Sequence, residues 1–194
     1  YKFIDIPTGG SGTTSRDRLS ILNKNSVIQI RNDDNNCFWY ALALQIYRDH
    51  KCYDEIRKGR PIRKKVAKEL CETCGCEWDV PVSFDDLLYI EPILNANFYV
   101  IGMDQIPLLG DTCNIYNTLL YKSEKKGATR QFWFLYEEND DGNGHFHAIT
   151  DIKAFMGVPY YCSKCLGCFT HKRAFDKHVC CEYPDCKGCN TNQK

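Results

Sequence analysis

No stretch of this 194-residue chain is apolar over the roughly 18–20 residues that a bilayer-crossing helix needs. The opening residues, YKFIDIPTGGSGTTSRDR, lack the charged-then-apolar order of a secretory signal. Together these absences read as a soluble, intracellular protein with no membrane partner. Net charge is missing as well: 25 Lys and Arg balance 25 Asp and Glu, so no strongly basic footprint argues for nucleic-acid binding. There is no internal repeat. An even cysteine count is also absent, and thirteen cysteines cannot form a fully paired disulfide framework. Their placement argues further in the same direction. Seven of the thirteen fall between Cys162 and Cys189, mostly in Cys-x-x-Cys spacing, which in a non-secreted chain favours zinc over disulfides.

What is present is a globular composition, 43% hydrophobic and 13% aromatic, sufficient for a sizeable core. Residues 1–19 contain the run Thr8-Gly-Gly-Ser-Gly-Thr-Thr-Ser15 and read as a flexible segment. Ser26 to Arg31 alternates apolar and polar residues and suits a short strand. From Cys37 to about His50, Phe38, Ala41, Leu42, Gln45 and Ile46 share one helical face. Pro61 opens a second helix through Leu70, and Ser83 is a serine N-cap for a third. Asn97–Ile101 and Gln131–Tyr136 are β-branched or aromatic runs typical of strands, and His145–Ile149 reads as the returning strand of a hairpin. Helices followed by a sheet of antiparallel strands predict an α+β domain over 20–157. At about residue 158 the composition shifts to Cys, His and Lys, which predicts a separate Cys/His-rich unit over 158–194.

Cys37 lies where the polar turn Asn32–Asn36 meets the first helix. A helix N-terminus offers partial positive charge and free N–H groups that favour a thiolate and can cradle an anion. Asn tolerates positive φ, so the turn can aim several N–H groups at one point, which makes the N–H groups around Asn35, Asn36 and Cys37 candidate oxyanion donors. A histidine base must come from elsewhere in the chain. His50 lies at the far end of the Cys37 helix, roughly 20 Å away, and His171 and His178 belong to the cysteine-rich tail. That leaves His145 and His147, two apart and so on one side of their strand. A cysteine is more often a small buried hydrophobe than a nucleophile, so the pattern around it matters.

That pattern, Asp34-Asn-Asn-Cys37-Phe-Trp-Tyr-Ala41, resembles the Asp-Gly-Asn-Cys-Leu-Phe/Tyr-Arg-Ala signature of the ovarian-tumour (OTU) family of papain-like cysteine proteases, mostly deubiquitinases. Gly144-His-Phe-His-Ala-Ile149 resembles the family's second signature, Gly-His-Tyr-Asp/Asn followed by apolar residues. The resemblance covers roughly residues 20–155. It implies a papain-like OTU fold, Cys37 as nucleophile and His145 as general base. Asp34 matches the acidic residue beside the oxyanion loop. It further implies ubiquitin, polyubiquitin or a ubiquitin-like modifier as partner. Asn35 stands where the family has glycine, and His147 where it has Asp or Asn. A neutral His147 can accept a hydrogen bond from His145 but cannot offset an imidazolium as a carboxylate does; Asp34 or Asp151 is the alternative third member.

In the tail, Cys162-x-x-Cys165 followed by His178-x-Cys180 has the outline of a structural zinc site, with Cys181 as an alternative to Cys180. Cys168, His171, Cys181, Cys186 and Cys189 are left for a second metal. Cys71-x-x-Cys74-x-Cys76 lacks a clear fourth ligand and reads as thiols packed at a helix end. The passage from His145 to Cys165 also resembles a segment that precedes the polymerase in protein-primed B-family DNA polymerases of Polinton/Maverick transposons and related viruses, where a similar strand runs into a zinc finger. This implies a piece of a larger polyprotein. Three alternatives remain: a polyprotein-processing cysteine protease, a nucleic-acid-binding accessory module that uses the finger and the basic helix, or an inactive OTU-like domain that only binds ubiquitin.

Overall fold

The computed structural model describes residues 20–103, 119–123, 127–138 and 144–180. The elements run β1 (Val27–Ile28), α1 (Cys37–Ile46), α2 (Tyr53–Arg57), α3 (Pro61–Thr73), α4 (Phe84–Leu94), β2 (Ala96–Gly102), β3 (Leu119–Lys122), β4 (Arg130–Glu138), β5 (Gly144–Ile149), α5 (Ile152–Met156), β6 (Tyr160–Tyr161), β7 (Cys168–Phe169) and α6 (Lys172–Asp176). Residues 1–19, expected to be a flexible segment, lie outside the described residues.

Local chemistry sets most boundaries. Pro61 takes the first position of α3, where a missing N–H costs nothing. Ser83 and Asp86 form a reciprocal capping box that starts α4, and Asn95 ends it in the left-handed region. Asp151 caps α5 through its side chain, and Gly157 closes that helix at φ 68°.

The five-stranded sheet has the order β1-β5-β4-β2-β3. It is mixed, which corrects the expectation of an antiparallel sheet. β3 runs antiparallel to β2 on its outer edge, and β4 returns on β2's other side, so β4 runs parallel to β2. β5 then pairs antiparallel to β4 and β1 antiparallel to β5. The expected 145–149 hairpin strand is present, and the α+β class stands.

Both faces of the sheet are covered. On one, Phe98, Val100, Phe134, Phe146 and Ala148 pack against α1, α3 and α4. Helix α1 is buried continuously from Cys37 to Leu44, as a helix apolar on all sides must be. Phe38 is its anchor, with ring centroids 5.8, 5.2 and 5.4 Å from Phe98, Phe134 and Phe146. On the other face, Tyr99, Ile101, Trp133, Leu135 and Ile149 form a core with Ile152 and Phe155 of α5 and with Leu166 and Cys168. The ββα unit of β6, β7 and α6 is thus seated on the back of the sheet. Tyr160 and Phe169 pack on Phe175 within it, each at 5.7 Å. No helix among the described residues is long and apolar enough to cross a membrane.

Candidate active site

The β1–β5 ladder opens just where the signature residues meet. Thr150 N–H donates to Ser26 O at 2.8 Å, and Val27 and Ile28 pair with Ile149 and Ala148. Alternation of an antiparallel ladder would make Ile30 and Phe146 the next mutually bonded pair. That pair is not made. Phe146 N–H instead donates to Cys37 Sγ at 3.5 Å. The freed polar groups of Ile30 are taken by two imidazoles: His145 Nε2 bonds Ile30 O at 2.9 Å, and Ile30 N–H donates to His147 Nδ1 at 3.1 Å. The sulfur therefore occupies the edge of β5 that β1 has left, with both histidines reaching over that edge.

These contacts fix the tautomers. A carbonyl only accepts, so His145 must carry its proton on Nε2, which leaves Nδ1 as the basic nitrogen. Among the described residues nothing is bonded to that Nδ1, and the thiol and imidazole are not directly hydrogen-bonded. His147 accepts at Nδ1, so its neutral ring is protonated at Nε2 and faces Glu137 Oε2 at 3.4 Å. Burial, then the neighbouring charge of His145, depress the His147 pKa to about 4 against the pull of Glu137. His147 is neutral at physiological pH. The expectation that it accepts a hydrogen bond from His145 is corrected: both of its ring nitrogens are engaged elsewhere, and the two rings lie tilted by 55° with centroids 4.8 Å apart.

Cys37 opens α1 after Asn36, which makes no side-chain cap, so the N–H groups of the first helical turn have no intrahelical partner. The N–H groups of Phe146, Phe38 and Cys37 itself favour the thiolate, but burial outweighs them and Asp34 adds repulsion, so the thiol pKa is raised. The resting group is a protonated thiol.

Asn35 and Asn36 serve differently from the expectation. Asn35 N–H donates to Asp79 Oδ1 at 2.8 Å and Asn36 N–H to Asp34 Oδ1 at 3.2 Å, so neither is free to hold an oxyanion. Neither has positive φ; Asp79 does, at 69°. The N–H groups of Cys37 and Phe38 are aimed at the sulfur, and among the described residues no other acceptor takes them. Asn36 is fully buried, donating from its amide to Asp79 Oδ1 at 3.3 Å and accepting Asp79 N–H at 3.0 Å. Burial raises the pKa of Asp34, but hydrogen bonds from Tyr40, Asn36 and Asn32 outweigh it and hold the carboxylate ionised. Tyr40 O–H reaches Asp34 at 2.7 Å, and the Arg63 guanidinium lies 4.7 Å above the Tyr40 ring. Asp34 thus braces the loop and does not bond either histidine; Asp151 is engaged in capping α5.

Asp79 was not singled out from the sequence, since nothing near it marks a residue 43 positions from its partner. Asp79→Ala leaves the Asn35 N–H and the buried Asn36 Nδ2 without their acceptor and puts at positive φ a residue that tolerates it less well than Asp, for a loss of about 2–3 kcal/mol. Asp79→Asn keeps an acceptor and tolerates the backbone, and urea unfolding should place it much nearer wild type. Gly144, the first residue of the second signature, is fixed by space. A β-carbon there would fall 1.7 Å from the Tyr136 ring, which packs over Phe146 beside the thiol.

Behind the sheet, the ligand atoms of Cys162, Cys165, His178 and Cys180 all lie within 4.8 Å of one another and could hold a metal ion. Four donors set tetrahedrally about 2.3 Å from one ion are roughly 3.8 Å apart, so this set fits with little adjustment. The turn supports it: Leu166 N–H donates to Cys162 O and Cys162 N–H to Gly167 O. The Cys162 thiol is opposed by burial but is held below its ordinary pKa by the N–H groups of Cys165 and Lys164. Of the residues expected to form a second metal site, Cys168 is buried in the core beneath the sheet and His171 is the N-cap position of α6. Cys181, Cys186 and Cys189 lie outside the described residues. Cys71 and Cys74 are buried at the end of α3, with the Cys71 thiol donating to Cys76 O, so they pack as expected.

Comparison of the chain with protein-family models, with curated proteins and with solved structures finds no match.

Proposed function

We propose that this protein is a cysteine hydrolase of the OTU type, a deubiquitinase that cleaves isopeptide bonds after the C-terminus of ubiquitin or a ubiquitin-like modifier. The observation that carries the reading is the thiol of Cys37 on the opened edge of β5, next to a histidine whose Nε2 is already committed as donor. The two sequence signatures that flank this geometry supply the substrate class.

The chemistry is acyl transfer. The Cys37 proton passes to His145 Nδ1 as sulfur attacks the amide carbonyl carbon, and the N–H groups of Cys37 and Phe38 hold the developing oxyanion. Collapse breaks the C–N bond, and the imidazolium gives its proton to the leaving amine. His145 then takes a proton from water, whose oxygen attacks the thioester and releases the carboxylate and Cys37. The resting separation of thiol and base closes on substrate binding, as is common for unliganded hydrolases. In the tail, the Cys₃His set would bind Zn²⁺, which supplies folding energy to the ββα unit and takes no part in the cleavage.

A ubiquitin C-terminal electrophile is the direct test. Wild type should gain the mass of one ubiquitin and Cys37→Ala none. An adduct that survives Cys37→Ala, or none with wild type, overturns this reading.

A further inference from the structure

A cysteine–histidine pair needs a third group that holds the imidazole in its reactive tautomer. Among the described residues no side chain does that. We infer that the main-chain carbonyl of Ile30 is the third member of the site, and that His147, backed by Glu137, is a positioning residue that acts on His145 through the backbone of Ile30. This rests on Cys37 and His145 being the reacting pair.

Ile30 is 3% exposed and is bonded on both sides. Its carbonyl receives His145 Nε2–H at 2.9 Å, and its N–H is anchored to His147 Nδ1 at 3.1 Å. Having left the β5 ladder, these two groups have no strand partner to hold them. The position of the Ile30 carbonyl is therefore set by His147. The ring of His147 is set in turn by Glu137, which lies one strand over, opposite His145 in the β4–β5 register. The path runs Glu137 carboxylate, His147, Ile30 N–H, Ile30 carbonyl, His145.

The arrangement also accounts for a histidine where a hydrogen-bond acceptor of another kind would serve. Nδ1 must accept from a backbone N–H while Nε2 donates to a carboxylate, and only an imidazole presents both from one flat ring. A carbonyl, like a neutral amide, orients the base and carries no full charge, so the site does not depend on a buried anion beside His145.

The test separates acceptor from filler. His147→Leu fills the space but leaves Ile30 N–H unanchored; His147→Asn is smaller but restores an acceptor. With a ubiquitin C-terminal fluorogenic substrate, His147→Leu should lower kcat on the order of 10- to 100-fold, the range for outer partners that orient a functional histidine. KM should stay within about twofold, and His147→Asn should recover most of kcat. Imidazole ¹⁵N shifts should show His145 as the Nε2–H tautomer in wild type and in His147→Asn, and a tautomer mixture in His147→Leu. This second readout needs no substrate, so it stands even if the ubiquitin reading fails. Leu performing as well as Asn, or a His145 tautomer unchanged in His147→Leu, overturns the positioning role. Should His147→Leu fail to fold, Glu137→Leu carries the same comparison against Glu137→Gln, with the same outcomes deciding it.

Discussion

His145→Ala should lower turnover by about 10³-fold at neutral pH and change the shape of the pH profile, not only its height. A positioned general base contributes on the order of 10²–10⁴-fold. The low end of that range does not apply, because the Cys37 thiol is not self-activating. Burial raises its pKa, and the three N–H groups aimed at it do not compensate. In wild type, proton transfer to Nδ1 makes the nucleophile inside the complex, so the rate should level off well below the thiol's own pKa. In the variant only the free thiolate reacts. Its rate should then climb close to tenfold per pH unit across neutral and mildly alkaline pH, with no plateau before the raised thiol pKa. Initial rates from pH 6 to 9 decide this. A variant whose profile parallels wild type would mean that His145 does not take the proton.

Removal of the metal from the Cys162, Cys165, His178 and Cys180 set should unfold more than the tail. Leu166 and Cys168, on the knuckle and the strand beside it, share one core with Tyr99, Trp133, Leu135 and Phe155 on the back of the sheet. Trp133 is 5% exposed, stacked on Tyr99 at 4.3 Å and edge-on to Tyr161 at 6.4 Å. Loss of the ion leaves ligand groups crowded together, with burial and the neighbouring Cys162 charge pushing Cys165 up to about 12. Each large apolar side chain returned to water costs about 1.5–3 kcal/mol, so the domain should lose several kcal/mol. A strong chelator, or Cys165→Ala, should lower Tm by on the order of 10 °C. It should also red-shift tryptophan emission as the sheet's back face is uncovered. If metal analysis of the purified protein finds less than one equivalent of zinc, the zinc assignment fails.

The parts of this molecule that obey short-range rules were legible in the sequence. The Pro61 helix start, the Ser83 cap, the 145–149 hairpin strand and the Cys-x-x-Cys knuckle each depend on residues within a turn or two of one another. The α1 helix was legible as well, although it is buried on every side and its period alone said less than its length. What was not legible depends on pairings across the chain. The parallel β2–β4 contact requires β3 to occupy the outer edge of β2, and nothing in either strand's alternation records that order. Asn35 and Asn36 looked like an oxyanion turn by type, yet Asp34 and Asp79 claim their N–H groups. His147 looked like a deficient substitute for a carboxylate because the Ile30 backbone groups that it and His145 bond have no signature. A main-chain atom is the same at every position.

That last point reaches beyond this site. When the group that orients a base belongs to the backbone, no side-chain replacement deletes it, and an alanine scan reads residue 30 only as a buried apolar side chain. The functional constraint at such a position is on the path of the chain, namely where β1 leaves the sheet, and any residue that keeps that departure point keeps the chemistry. Sequences that share the mechanism could therefore differ at position 30 among residues that fit its buried, apolar place, so long as the residue carries an N–H. Proline, apolar but without that N–H, is the exclusion that a comparison of such sequences would reveal.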